Sequence, residues 1–311
     1  MGCSKNQKLI HYQEWGYVTM KLTRNKAAIA LICLGCLAMA IALSISKFKV
    51  SNLFSNAAEF EKKSYEIVQE EVKSIKVDIE NTDVMIIPST DNMIHVTYFE
   101  SDEVKYDIEI KPNKVLSITD RHDHNFLNWF GVNLGSRDVY CEIHVPSNLM
   151  DKIEVETSNA NIDIEYLIIT GNLVLRSSNG EIDLNSVTTT NDIKVVTSNG
   201  SITADDLKGN VIDFKTSNGE ITIDDVNAVD KIIMSTSNAS IEFDRIVAGN
   251  RIEMTTSNGE VIGSISDSME NYSIESHTSN ADNNLKNSTA GSKKLVVRTS
   301  NADIEVEFSS N

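Results

Sequence analysis

The sequence predicts an all-β protein, namely a parallel β-solenoid with about 20 residues in each turn of its coil, preceded by one transmembrane helix. Three observations carry this prediction: a phrase repeated at a nearly constant interval, a period-two alternation around that phrase, and an uncharged apolar segment near the N-terminus. The chain has 311 residues, of which 41% are hydrophobic, so it is long enough to bury one sizeable core.

The repeated phrase is Thr or Ser, then Ser, then Asn, followed by Gly or Ala, and eight copies of it follow residue 156. Successive copies lie 19 to 22 residues apart. A period this short and regular is typical of stacked copies of one supersecondary unit, and we call each copy a rung. The asparagines of the phrase are Asn159, Asn179, Asn199, Asn218, Asn238, Asn258, Asn280 and Asn301.

Apolar residues lie two and four positions before the phrase, and again five and seven positions after its first residue, with polar residues between them. One copy has Ile193 and Val195 before the phrase and Ile202 and Ala204 after it. This alternation predicts strands with one buried face. The parity of the apolar positions changes at Asn-Gly, where both residues tolerate a positive φ, so we expect a corner there and a second bend after the second strand.

Two arrangements of these strands fit the pattern. One is a stack of parallel rungs, and the other is an antiparallel meander with hairpins at Asn-Gly. The fixed place of Asn in every copy favours stacking, because identical residues then lie above one another. By parity, the Thr and Asn of each phrase are expected to face inward and form ladders. The alternative is that each Asn caps its own turn.

The repeat-bearing domain is predicted at 74–311, with irregular strands over 74–150 and regular repeats over 151–311. The apolar offsets recur in degenerate form between Ile75 and Ile86, and this segment is expected to be the first rung. Leu295 to Phe308 reads as a clean final rung. Terminal rungs are expected to depart from the pattern, since they close the stack against water.

Residues 27–46 are predicted to form the transmembrane helix. No charged residue occurs between Ala27 and Ile45, and such a helix spans about 29 Å, which is enough for the hydrocarbon core of a bilayer. Residues 1–26 are then a cytoplasmic tail and residues 47–73 a polar juxtamembrane stalk. The basic residues before the apolar segment favour a cytoplasmic N-terminus and an extracellular C-terminal domain at the cell membrane.

Two questions about the N-terminus stay open at this point. A cleaved signal peptide is the alternative to an uncleaved anchor, although the apolar run is long for one. Translation could also start at Met20 instead of Met1, since Met20 itself precedes a basic stretch and the apolar segment.

The charge is strongly acidic and unevenly distributed. The net charge of the chain is −17, and residues 51–311 hold 21 Lys and Arg against 44 Asp and Glu. Such a domain repels phosphate backbones, so no nucleic-acid partner is expected. Cys141 is the single cysteine of residues 51–311, and its place in the alternation predicts a buried hydrophobic residue.

No nucleophile elbow, phosphate-binding glycine loop or zinc-type spacing occurs, so neither an enzyme nor a cofactor is predicted. The first functional hypothesis is therefore a binding or structural module. An enzyme acting on cell-wall polysaccharide on a solenoid scaffold remains the alternative, because some solenoids carry catalytic acids on one face.

Acidic residues recur after the second strand of the rungs, and stacking would align them. They are candidates for weak Ca²⁺ or Mg²⁺ binding, the alternative being a screened acidic surface. They are Asp205, Asp206, Asp224, Asp225 and Asp244.

An insertion between two irregular strands holds four large apolar side chains. They predict either a partner-contacting tip or a cap on the open end of the stack. They are Phe126, Leu127, Trp129 and Phe130. The preceding cluster of Asp120, His122, Asp123 and His124 reads as a solvated loop, with a transition-metal site as the less favoured interpretation.

The phrase Ile-His-Val-Pro-Ser-Asn-Leu at 143–149, leading into Ile-Glu-Val-Glu-Thr-Ser-Asn-Ala at 153–160, resembles the bacterial putative-adhesin domain of LiaG-like membrane proteins, also called toastrack-type. The resemblance covers about residues 70–311. It implies a stacked β fold on the outer face of the cytoplasmic membrane of Gram-positive bacteria, often beside envelope-stress systems. The binding-module hypothesis then becomes one of adhesion or envelope-stress signalling, in which the ladders and loops are presented to a protein or glycan. The resemblance implies no catalytic residues.

Overall fold

A computed structural model of the chain describes residues 60–101, 104–122, 139–147 and 150–309. The predicted tail at 1–26 and the predicted transmembrane helix at 27–46 lie outside these residues. Within the described ranges, the regular structure consists of strands and two 3₁₀ turns, Gln69–Glu71 and Met269–Asn271. In that part of the chain there is no helix with the length and apolarity needed to cross a membrane.

The strands of the irregular part are β1 (Glu61–Val68), β2 (Ser74–Ile79), β3 (Asp83–Pro88), β4 (Met93–Glu100), β5 (Val104–Ile110), β6 (Val115–His122) and β7 (Tyr140–Val145). The strands of the repeats are β8 (Lys152–Thr157), β9 (Ile162–Glu165), β10 (Ile168–Ile169), β11 (Asn172–Arg176), β12 (Ile182–Thr189), β13 (Ile193–Val196), β14 (Ile202–Lys215), β15 (Ile221–Ser235), β16 (Ile241–Ala248), β17 (Arg251–Thr255), β18 (Val261–Ile265), β19 (Tyr272–His277), β20 (Lys293–Arg298) and β21 (Ile304–Phe308).

Successive rungs of the repeat stack in parallel and in register. Leu173 of β11 pairs with Ile153 of β8 on one side and with Ile193 of β13 on the other, which is an offset of one repeat in each direction. The strands after the corner do the same, since β12 pairs in parallel with β9 and β14. This pairing is incompatible with an antiparallel meander of the repeats.

The apolar residues at the predicted offsets fill the interior of the stack. Ile193, Val195 and Ile202 have no exposed surface, and Ala204 is also buried. The Thr of the phrase faces inward as well, with Thr197 buried beside them. The predicted parity of these strands is therefore confirmed. Successive side chains of a strand point to opposite faces, so alternate residues are buried.

The complete sheet is mixed. At the N-terminal end β1 pairs antiparallel with β4, β4 with β7, and β5 with β6. β1 lies inside the segment 47–73 that the sequence assigns to a stalk, so the folded part begins before residue 74. Its one buried strand residue, Ile67, and the nearby Val72 join the hydrophobic core. Two buried residues in a charged segment are too few to reveal a strand from its sequence.

The order of rungs along the stack differs from their order along the chain. The segment Ile75–Ile86 is not the outermost rung, because β6 and β7 pair with the other side of β2 and β3. At the far end, β20 lies between β17 and β19, so Leu295–Phe308 is inserted beneath an earlier rung and is not the last layer. The expectations that Ile75–Ile86 is the first rung and that Leu295–Phe308 is the final rung are therefore wrong.

In the outermost C-terminal rung, residues that follow β19 cover the free edges of β21 and of β19 itself. The side chain of Asn284 accepts a hydrogen bond from the Val306 backbone N–H at 3.0 Å and donates one to the Val306 carbonyl oxygen at 3.1 Å, which replaces a neighbouring strand. The backbone of Ser288 pairs with Ile274 and covers the edge of β19. These polar residues break the apolar pattern because they end the stack, where unpaired backbone groups need partners.

Candidate functional site

The asparagines of the phrase form one hydrogen-bonded ladder on the outside of the first corner. Each side-chain amide donates to the side-chain oxygen of the next Asn in the stack at 2.6–2.9 Å, and Asn81 extends the ladder at its N-terminal end. The expected ladder thus exists, but its residues are exposed and do not face inward. Parity fails there because the chain turns between the Thr and the Asn, so the alternation of an extended strand no longer applies.

A second ladder lies inside the same corner. The Thr216 hydroxyl donates to the Gly200 carbonyl oxygen of the neighbouring rung at 3.1 Å and accepts the N–H of Gly219 at 3.2 Å. Thr197 and Thr236 make the equivalent bond to the neighbouring rung. These buried hydroxyls are therefore satisfied, and they tie each corner to the next.

The corner does not use a positive φ, contrary to expectation, and no Asn or Gly of the phrase is among the described residues that have one. Glycine is needed for a different reason. A Cβ on Gly200 would lie 1.9 Å from the carbonyl oxygen of Gly180, and one on Gly219 would lie 1.8 Å from that of Gly200. The stacked corners approach too closely for a side chain to be added there.

The left-handed residues occur at the second corner instead. Tyr166, Ser186, Asp206, Asp225 and Arg245 occupy this place in successive rungs, with φ between 48° and 54°. Asp tolerates this conformation better than Tyr or Arg. Two of the acidic residues predicted from the sequence, Asp206 and Asp225, therefore occupy the position at which the backbone of this corner is left-handed.

The predicted acidic residues do come together at this second corner. Asp205 pairs in register with Asp224, and Asp224 with Asp244. The Arg245 guanidinium lies among the carboxylates, 2.6 Å from Asp224 Oδ1, 3.2 Å from Asp225 Oδ2 and 2.5 Å from Asp244 Oδ2. Hydrogen bonds to Asp225 and Asp224 raise the pKa of Arg245 further above its usual value.

A metal ion would therefore have to compete with a cation that belongs to the chain. Across the ranges that the structure describes, no three His, Cys, Asp or Glu side chains are arranged to hold a metal. Binding of Ca²⁺ or Mg²⁺ at Asp205, Asp206, Asp224, Asp225 and Asp244 stays a prediction.

The corner belongs to a larger acidic face, which we define as the outward side of β3, β7, β9, β12, β16, β18, β21, residues 202–208 of β14 and residues 221–228 of β15. Two outward rows along these strands contain no Lys or Arg. Their carboxylates are Glu142, Asp163, Glu165, Asp183, Asp205, Asp224, Glu242, Asp244, Glu305 and Glu307.

Crowding on this face changes proton affinity. Burial, followed by the charges of Asp183 and Asp83, raises the pKa of Asp163 to about 6. Burial and a hydrogen bond with Glu242 also raise the pKa of Glu220. Both shifts favour the protonated carboxyl, as expected where like charges are held at strand spacing.

The structure also brings together a histidine pair that the sequence does not reveal. His95 of β4 lies directly opposite His144 of β7, with ring centroids 6.2 Å apart. His95 Nε2 lies 3.0 Å from Asp91, and His144 Nε2 lies 2.5 Å from Glu142. The two histidines are 49 positions apart in the sequence, so only the pairing of β4 with β7 could have indicated the contact.

The opposite outward side has a different charge, and we call it the basic face. It comprises β2, β6, β8, β11, β13, β17, β19, β20, residues 211–215 of β14 and residues 231–235 of β15. Its outward Lys and Arg are Lys76, Arg121, Lys152, Arg176, Lys194, Lys215, Lys231, Arg251, Lys294 and Arg298. Its outward acids are Asp78, Glu154, Glu156, Asp213, Glu253 and Glu275.

Of the remaining sequence candidates, Phe126, Leu127, Trp129 and Phe130 lie outside the described residues, as do Asp123 and His124. Cys141 is fully buried, as predicted, and burial raises the pKa of its thiol to about 12. The thiol is therefore a packing group and not a nucleophile.

Comparison with known proteins identifies a family. The model described as Toastrack DUF4097 matches residues 72–311. A comparison with curated proteins gives no match.

Several solved structures are similar. A "putative adhesin" from Parabacteroides distasonis ATCC 8503 is 16% identical, with a TM-score of 0.45, and the alignment covers 81% of this chain and 98% of that one. A "putative adhesin" from Parabacteroides merdae ATCC 43184 is 14% identical, with a TM-score of 0.47 and the same two coverages. A "putative lipid binding protein" from P. distasonis is 14% identical, with a TM-score of 0.37, and covers 81% and 95%. Such values transfer no function, whereas the family match spans most of the sequence: the chain belongs to the Toastrack DUF4097 family.

Proposed function

We propose that this chain is a membrane-anchored, extracellular β-solenoid that acts as a non-catalytic binding or structural module, in adhesion or in envelope-stress signalling. One observation carries the proposal. The outward rows of both faces stay in register from rung to rung, with a buried apolar interior and hydrogen-bonded ladders at the corner. A backbone held in this way presents side chains at a fixed spacing of about 4.8 Å, which suits recognition of an extended partner.

The solenoid part of the proposal can be tested by removing one rung. Deleting residues Thr197 to Lys215 would join the strand of one rung to the phrase of the next and preserve the repeat. In a stack with nearest-neighbour contacts, the shortened chain should still unfold cooperatively and keep its β circular dichroism. Complete loss of folded structure on this deletion would contradict modular stacking.

The membrane part rests on the uncharged segment within 27–46 and the basic residues before it. Protease added to intact cells should remove a C-terminal epitope of the full chain and leave an N-terminal one. Protection of the C-terminal epitope would contradict an extracellular domain. Release of that epitope into the medium without protease would favour a cleaved signal peptide.

Binding can be separated from catalysis with one preparation. The full chain in detergent micelles is mixed with insoluble bacterial cell wall, the wall is pelleted, and both the bound protein and the released reducing sugar are measured. The proposal predicts bound protein without sugar release. Sugar release above the buffer control would support the alternative of a polysaccharide-acting enzyme. No arrangement of the described residues specifically supports that alternative.

A further inference from the structure

We propose that the basic face binds a linear polyanion that lies along the stack, across the strands, in a trough centred on Arg176, Lys194 and Lys215. This inference rests on the binding function proposed above and names its ligand class. The ligand is a chain carrying a phosphate or carboxylate group at regular intervals.

The trough consists of two adjoining depressions on the basic face. One, of about 270 Å³, is lined by Lys76, Lys111 and Lys152 with Glu154. The other, of about 670 Å³, is lined by Arg176, Lys194 and Lys215 with Asp213, Glu253 and Ile233. The ion pair between Arg176 and Glu154, at 2.9 Å, lies where the two depressions meet. The trough therefore holds twice as many cationic as anionic side chains.

Part of this positive charge is uncompensated. In the described part of the chain, no carboxylate oxygen lies within ion-pair distance of the amines of Lys76 or Lys215, and Lys194 reaches Asp213 only at 3.8 Å. Lys76 and Lys215 are four strands apart, which is about 19 Å along the stack. A ligand that neutralises both must be extended along the stack axis.

The side chains that line the trough favour a charged ligand over a neutral glycan. No aromatic side chain lines either depression, so ring stacking on a neutral glycan has no platform there. Lys and Arg offer charge-assisted hydrogen bonds to phosphate and carboxylate oxygens. Apolar contact is supplied between them by Ile233 and Val196.

The overall negative charge of the chain does not prevent such binding. Most of it lies on the acidic face, which the core separates from the trough by about 10 Å. At physiological ionic strength the Debye length is about 8 Å, so a ligand in the trough is largely screened from those carboxylates. The opposite charge of the two faces also fixes which side of the stack a polyanion approaches.

Lys208 provides a matched control, because it lies in the same strand as Lys215 but before the irregularity at Gly209–Val211, on the acidic face and next to Asp206. The full chain in detergent micelles is titrated with sodium polygalacturonate, with inorganic polyphosphate and with neutral dextran. Binding is expected for the two polyanions and not for dextran. Lys215→Glu should weaken it about tenfold and Lys208→Glu less than twofold, with affinity falling as salt rises.

The relative binding of the three polymers decides the proposal. Tighter binding of polyphosphate identifies phosphate as the group recognised, and tighter binding of polygalacturonate identifies carboxylate. Either result supports the inference. Equal loss of affinity with Lys208→Glu, equal binding of dextran, or no binding of either polyanion would overturn the proposal.

Two further results would also overturn it. One is tighter binding of duplex DNA than of both polymers. The other is a salt-sensitive dimer, seen by sedimentation, that Lys215→Glu abolishes. If the chain still pellets with cell wall after Lys215→Glu as before, the binding function stands and this ligand assignment fails.

Discussion

The side-chain amide of Asn301 donates to the side-chain oxygen of Asn258 at 2.8 Å, although 43 residues separate them in the chain. Asn280, which lies between them in sequence, donates to Asn301 from the other side. The ladder therefore follows the spatial order of the rungs and not their order of synthesis. It also means that every rung from Asn81 to Asn280 is linked to its neighbours by the same polar contact.

Removing one member from the middle of this ladder should lower stability modestly. Asn218→Ala deletes the side-chain hydrogen bonds to Asn199 and to the Ser198 carbonyl oxygen and the one from Asn238, all of which are exposed. We expect the free energy of unfolding to fall by about 1–2 kcal/mol, because each bond contributes about 0.5–1.5 kcal/mol net. Urea denaturation measures this. Asn227→Ala, on an exposed residue of the same rung, should change it by less than about 0.5 kcal/mol.

The inner ladder should be more sensitive to loss of a hydroxyl. Thr216→Val keeps the shape of the side chain but leaves the buried N–H of Gly219 without its acceptor. An unsatisfied buried donor costs about 1–3 kcal/mol. The matched change Thr222→Val is on the exposed acidic face and should have little effect on the urea midpoint. Equal losses for the two variants would contradict the role assigned to the inward hydroxyl.

Close stacking at the corner predicts different outcomes for two glycines. Gly200→Ala places a Cβ 1.9 Å from the Gly180 carbonyl oxygen, so the rungs must separate, and we expect a loss of about 3 kcal/mol or more. Gly209→Ala brings its Cβ to 3.3 Å from the Asn191 carbonyl oxygen, a tight contact that a shift of a few tenths of an ångström relieves, so we expect a much smaller loss. Thermal unfolding of the two variants distinguishes them. A Gly200→Ala chain as stable as the wild type would mean that the corners are looser than described.

The raised pKa of Asp163 predicts a stability that increases on mild acidification. The pKa of this carboxyl is about 6 in the folded chain against 3.8 ordinarily, so the folded state binds a proton more tightly. The cost of the charged form is full above pH 6 and disappears as the pH falls towards 4. Asp163→Asn should therefore stabilise the chain at pH 7 by about 1 kcal/mol, after allowance for solvent screening, and not at pH 4.

Urea denaturation of wild type and variant at pH 7, 5 and 4 measures this difference. Glu305→Gln, in the same outward row at the other end of the stack, provides the control and should leave the pH dependence unchanged. A benefit of Asp163→Asn that is the same at all three pH values would show that the carboxyl is not the titrating group.

Divalent cation binding at the second corner can be tested by removing Arg245, whose guanidinium already lies among the carboxylates there. Calorimetry on the chelator-treated full chain should detect heat at millimolar Ca²⁺ if the aspartates of this corner bind the ion. Arg245→Gln removes the guanidinium from Asp224 and Asp244 and should strengthen that binding several-fold. Arg176→Gln on the basic face is the control. Absence of heat in both wild type and Arg245→Gln would eliminate this corner as a cation site.

Local patterns predict the strands well because alternation is a property of a few consecutive residues. The burial of Ile193, Val195 and Ile202 follows from parity alone. Parity fails for the ladder asparagines because it presumes an extended chain, and the corner is not extended. The contact of His95 with His144 depends on which strands pair, and a single sequence does not contain that information.

β20 lies between β17 and β19, and β21 lies between β18 and the segment around Asn283, so residues 293–308 form an internal layer of the fold. A chain that stops before Lys293 would lack the strand with which β19 pairs, and would expose the unpaired backbone edges of β17 and β18. Truncation therefore opens a gap within the domain instead of shortening it by one layer. In this way the architecture couples closure of the domain to synthesis of residues 293–308, and nascent chains cut short before them should be readily degraded.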